Sequence, residues 1–88
     1  MKAKELFAKI LAPKGVQLVA MDITSLPVDD DVDAGDCVNE FKSLDKTSRL
    51  LLKTRISKLI RSNDNSPAPR VRQRVDVLKK IKTYITVL

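Results

Sequence analysis

Apolar residues recur at helical intervals through much of this chain, and the breaks between the runs mark its elements. Leu6, Phe7, Ile10 and Leu11 share one face of a short segment that Pro13 and Gly15 close, which predicts a helix over about Ala3 to Ala12. Val16 to Ile23 (VQLVAMDI) is short and rich in Val, Ile and Leu, a content that suits a strand better than a helix. Pro27 and the aspartates up to Asp36 read as an exposed acidic connector over about residues 24–37. A longer helix then starts at Val38 or at Asp45 and runs to Arg61. On a wheel of about 100° per residue, Val38, Phe41, Leu52, Ile56 and Leu59 fall within about 60°.

Ser62 to Pro69 (SNDNSPAP) carries every local signal of a turn, with Ser66 as N-cap and Pro67 at the first helical position, where its missing N–H costs nothing. Val71, Val75, Leu78, Ile81, Ile85 and Leu88 follow at spacings of three and four, which predicts a last helix and an antiparallel helical hairpin over about residues 38–88. A competing pattern exists. Arg70 to Val77 also alternates polar and apolar residues, and Ile81 to Val87 is rich in β-branched ones. The expected fold is thus a single mainly α domain over residues 1–88. Its α+β alternative makes the C-terminal segment partly strand, able to pair with Val16 to Ile23.

Composition narrows this further. Eighty-eight residues with only Phe7, Phe41 and Tyr84 as aromatics give a small aliphatic core. At this size a monomer buries only roughly 60–65% of its unfolded surface, so a homodimer is expected. Cys37 is the single cysteine and histidine is absent. That excludes an internal disulfide, leaves no soft-ligand metal cluster, and fits a cytoplasmic setting with no cofactor. Met1 to Leu11 interleaves lysines with apolar residues, so neither a signal peptide nor a membrane span is expected there. With no histidine, and Cys37 beside Asp36 rather than a base, no activated nucleophile can be assembled, so an enzyme is not expected.

The charge is sorted along the chain. Val16 to Phe41 hold seven acidic residues and no basic ones, whereas Lys42 to Leu88 hold thirteen basic and three acidic ones. Two basic groups stand out. Lys42, Lys46, Arg49 and Lys53 form one row about 16 Å long on a continuous helix, able to meet several phosphates or simply to cover the core edge. Arg70, Arg72 and Arg74 sit where a helix N-terminus normally favours acids, a conflict that a bound anion would relieve and that a strand or linker would not have; Lys79, Lys80 and Lys82 extend the field. The acidic run places Asp29, Asp31, Asp33 and Glu40 at calcium-loop positions, but Ala34 stands where the glycine is needed and Pro27 bars the entering helix, so it reads as a solvated loop. Such a loop can also fold over the basic helices and weaken their hold on polyanions.

Leu50, Leu51 and Leu52 point about 100° apart on a helix, so Leu50, nearly opposite Leu52, and Leu51 are candidate interface residues. The leading expectation is a regulatory or accessory protein that binds duplex nucleic acid through the phosphates, using Lys42, Lys46, Arg49, Lys53, Arg70, Arg72, Arg74 and Lys79. The alternative is a protein-interaction module, an adaptor or inhibitor, in which the hairpin and the acidic segment meet a partner such as an acidic protein. Base stacking has little support, since Tyr84 is the only aromatic residue in the basic region.

Overall fold

Side chains at the helix ends set the architecture. The computed structural model describes residues 3–13, 22–28 and 33–88. They form helix α1 (Ala3–Leu11), a 3₁₀ turn (Ile23–Ser25), and helices α2 (Ala34–Ser43), α3 (Lys46–Asn63) and α4 (Pro69–Thr86), with no strand among the described residues. Aspartates open most of these elements. Asp22 accepts from the Thr24 N–H, Asp33 from that of Gly35 and Asp45 from that of Ser48, each satisfying an orphan donor of a first turn. Asp36, inside α2, accepts from the Ala3 N–H at 2.8 Å and ties the start of α1 to α2.

The fold is mainly helical, as the hydrophobic spacing predicts, with three departures. Of the two expected starts of the longer helix, Asp45 is the one observed, and Val38 falls in a separate helix before it. Leu44 and Asp45 are extended, and Asp45 caps a new helix, so α2 carries Val38 and Phe41 while α3 carries Leu52, Ile56 and Leu59. The acidic connector is shorter than residues 24–37, because α2 already starts at Ala34. The last helix starts at Pro69 rather than Pro67. Ala68 occupies the cap position, and Ser66 Oγ accepts from the Ala68 N–H. Of the proposed strand, Val16 to Met21 lie outside the described residues, and Ile23 opens the 3₁₀ turn.

The strand alternative for the C-terminal segment is overturned, since α4 is helical from Pro69 to Thr86. It packs against α3 as an antiparallel hairpin. Asp64 meets Arg72 and Lys79 at one end, and Leu88 lies beside Lys46 and Leu50 at the other. Helix α1 lies across α3 and α2, while α2 and the 3₁₀ turn cover the other side of α4.

One cluster joins all these elements: Leu6, Phe7 and Ile10 of α1, Cys37 and Phe41 of α2, Leu52, Ile56 and Leu59 of α3, and Val75, Val77, Leu78, Ile81 and Ile85 of α4. Val77 lies off the predicted stripe, and its burial follows from α4 being covered on two sides. The radius of gyration, 12.0 Å, matches the value of about 12 Å expected for a folded chain of this length, so a single copy reaches ordinary globular compactness. No helix among the described residues is long and apolar enough to cross a membrane.

Candidate functional site

The cations divide into those turned onto the protein and those turned outward. Arg55 of α3 is 8% exposed, and its Nη1 donates to the carbonyls of Ile10 and Leu11, 2.9 Å from each. Those are the last carbonyls of α1, which have no intrahelical donor. Arg49 Nη2 donates to the Lys42 carbonyl at the end of α2, at 2.7 Å. Arg72 Nη1 donates to the Asp64 carbonyl just past α3, and the same guanidinium faces the carboxylates of Asp64 at 3.4 Å and Asp76 at 3.9 Å. Thus α1, α2 and α3 each end on an arginine from a later segment, a placement that satisfies orphan carbonyls and suits the negative dipole end.

The expected row of Lys42, Lys46, Arg49 and Lys53 does not survive as a row. The break at Leu44 and Asp45 puts Lys42 on α2 and the other three on α3, and Arg49 is engaged with Lys42's own carbonyl. The trio at the start of α4 is dispersed as well. Successive members are about 200° apart around the helix. Arg72 turns to Asp64, Arg74 Nη1 donates to Gln73 Oε1 at 2.7 Å, and Arg70 is exposed. The conflict with the helix dipole is therefore partly met within the chain, by Asp64 and Asp76 around Arg72. Lys79 completes this cluster, its Nζ 3.0 Å from Asp64 Oδ1. The hydrogen bond and charge of Lys79, then those of Arg72, hold the Asp64 carboxyl below its usual range.

Two of the outward cations, Lys46 and Lys53, meet at one corner. Phe41, Lys46, Arg49, Leu50, Lys53 and Leu88 line a pocket of about 310 Å³ where the end of α2, the start of α3 and the residues after α4 meet. Its floor is fixed, because Phe41 is 1% exposed and part of the core. Leu50 and Leu88 are 60% and 44% exposed, so the rim is open. Lys53 Nζ stands 5.4 Å from the centroid of the Phe41 ring, within cation–π range. No acidic side chain among the described residues lines the pocket. Asp45, next to it in sequence, is turned to the Ser48 N–H and hydroxyl-bearing turn, and those hydrogen bonds lower its pKa. Leu51 is 39% exposed and lies about 100° around α3 from Leu50, outside the pocket.

Arg55 and the pocket are what the sequence reading missed. A signal for Arg55 was present, since it precedes Leu59 by four residues and so lies about 40° from it, inside the apolar stripe, where a charge must find partners. The pocket had only Leu50 to signal it, because it needs three separate segments to meet.

The acidic run is partly structural. Residues 34–40, the second half of the supposed calcium loop, are helical in α2, with Asp33 as its cap and Glu40 two turns on. This geometry is incompatible with a single calcium loop. Asp29 to Val32 lie outside the described residues, and no group of three acidic or cysteine side chains suited to a metal occurs among the described ones. Cys37 is fully buried, and desolvation, with Asp36 and Asp33 adding to it, pushes its thiol up to about 11. No protein-family model, curated protein or solved structure matches the chain.

Proposed function

We propose that the protein is a non-enzymatic interaction module, an adaptor or inhibitor acting in the cytoplasm, that docks an acidic protein at the corner of α2, α3 and Leu88. The observation that carries this reading is an apolar pocket rimmed by cations: Phe41, Leu50 and Leu88 with Lys46, Arg49 and Lys53 around them. Apolar burial supplies affinity, while the cations steer and select an anionic partner. A phosphate backbone uses the cations alone and leaves Leu50 in water. The inert thiol of Cys37 and the absence of histidine support a binding role over catalysis. The test is capture from a nuclease-treated lysate on immobilised full chain. A protein retained by the native chain and lost with Leu50→Glu supports the reading, and capture that disappears on nuclease treatment contradicts it.

A second reading, duplex nucleic acid, rests on a different observation. Lys42, Lys58, Arg61, Arg70, Lys80 and Lys82 are exposed and make no ion pair among the described residues. Of the residues first assigned to phosphates, Lys42, Lys46, Lys53 and Arg70 remain for that role, whereas Arg49, Arg72, Arg74 and Lys79 already hold internal partners. This reading requires an affinity that falls steeply with salt and is indifferent to Leu50→Glu.

A further inference from the structure

Resting on the docking reading, we infer that the corner pocket is a socket for one bulky apolar side chain of an acidic peptide segment, whose flanking carboxylates pair with Lys46 and Lys53. The volume sets the scale. At about 310 Å³ the cavity lies at the bottom of the roughly 300–1,000 Å³ range of ligand pockets, enough for a leucine or phenylalanine with its adjoining backbone but not for a large cofactor. The floor is already built, because Phe41 is locked into the core and Arg49 is held by the Lys42 carbonyl. A guest therefore meets a pre-organised surface, and little ordering opposes binding. Leu50 and Leu88 are the residues that gain cover.

The charges define the guest's sequence. Lys46, Arg49 and Lys53 line the pocket with no acidic side chain among its described lining residues, which favours an anionic guest. Lys46 and Lys53 are seven residues apart, about 10.5 Å along α3. An extended peptide rises about 3.3 Å per residue and alternates its side chains, so two carboxylates four residues apart share one face with the residue midway between them and span about 13 Å, within reach of the flexible lysine stems. The matching motif is an acidic residue, a spacer, the apolar anchor, a second spacer and a second acidic residue, all three recognition side chains facing the same way. The partner is accordingly a protein carrying this motif in an exposed, extended stretch.

Calorimetric titration of the full chain at low salt tests this with a capped peptide centred on Glu-Gly-Phe-Gly-Glu, compared with the same peptide carrying Ala for Phe or Gln for both Glu. The native chain is expected to bind the parent peptide about tenfold more tightly than either analogue. Leu50→Glu and the double variant Lys46→Glu, Lys53→Glu are each expected to lower affinity about tenfold, and Leu51→Glu to leave it within about twofold. Leu50 and Lys46 are exposed and Lys53 is half-buried beside Phe41, so circular dichroism checks that each variant is folded. Equal binding of the parent peptide by native chain and Leu50→Glu overturns the socket but leaves an acidic partner in place. Undiminished binding of the Ala peptide overturns the apolar anchor. If no peptide binds while a duplex does, the socket and the docking reading both fall. If sedimentation shows a dimer that Leu50→Glu dissociates, the occupant is a second copy of the chain, which also overturns the peptide proposal.

Discussion

Helix α3 carries two kinds of cation within a few residues of each other. Arg49 and Arg55 turn back onto the ends of α2 and α1, donating to main-chain carbonyls, while Lys46 and Lys53 stand at the rim of the corner pocket. The difference follows from their chemistry. A guanidinium is planar, weakly hydrated and forked, so it can be buried against two carbonyls at once; an ammonium is strongly hydrated and keeps its head in water while its stem covers apolar surface. A count of basic residues therefore overstates the charge this protein offers to a partner. Arg72 repeats the inward pattern at the end of α3, and Lys80 and Lys82 repeat the outward one on α4.

The largest expected effect lies on the inward side. Arg55→Ala leaves two buried carbonyls at the end of α1 without donors and is expected to cost about 2–4 kcal/mol in urea unfolding. Arg55→Lys, which retains the charge but not the fork, should recover only part of that loss. Neither change should alter peptide affinity per folded molecule, and a fall in that affinity would show that the two kinds of cation are not separable. On the outward side the pattern reverses. Leu50→Glu should leave unfolding stability within about 0.5 kcal/mol of native while abolishing most of the binding.

Acid titration separates the two sets at the hairpin end. Lys79 and Arg72 depress the Asp64 pKa in the folded state, so the stability this carboxylate contributes is present above its unfolded pKa of about 3.9 and is lost as pH falls through the lower folded value. Asp64→Asn should therefore lower the thermal midpoint at pH 7, and its deficit relative to native should shrink as pH is taken below about 4. A deficit that stays constant with pH would mean that Asp64 acts through its carbonyl and backbone geometry instead of its charge. The smallest effect is expected from Lys80→Gln with Lys82→Gln. Stability should stay within about 0.5 kcal/mol of native and peptide affinity should not change. A marked loss of duplex affinity in that variant would favour the nucleic-acid reading.

The helical spacing made most of the fold legible, because Leu52, Ile56 and Leu59, and Val75, Leu78, Ile81 and Ile85, lie on continuous apolar stripes that the structure buries. The break between α2 and α3 was half legible. Asp45 is a good N-cap residue, yet the wheel positions of Val38 and Phe41 stay in phase with those of α3 and concealed the two extended residues. The internal partners of the arginines were hidden for one physical reason. Seen along the chain, Arg49 and Arg72 are surplus charge, and only the approach of another helix's last carbonyls gives them partners. The pocket was least legible, although Leu50 pointed to it, because Phe41 and Leu88 come from opposite sides of α3 in the sequence.

Amide chemical-shift mapping tests the central claim most directly. The full chain, isotopically labelled, is titrated with the Glu-Gly-Phe-Gly-Glu peptide while every backbone resonance is followed. The account predicts shifts confined to Phe41, Lys46, Arg49, Leu50, Lys53, Leu88 and their immediate neighbours, with Arg55, Arg72 and the outer face of α4 unmoved. Shifts spread over Arg70, Lys80 and Lys82, or absent at Leu50 and Leu88 while the peptide binds, would contradict it.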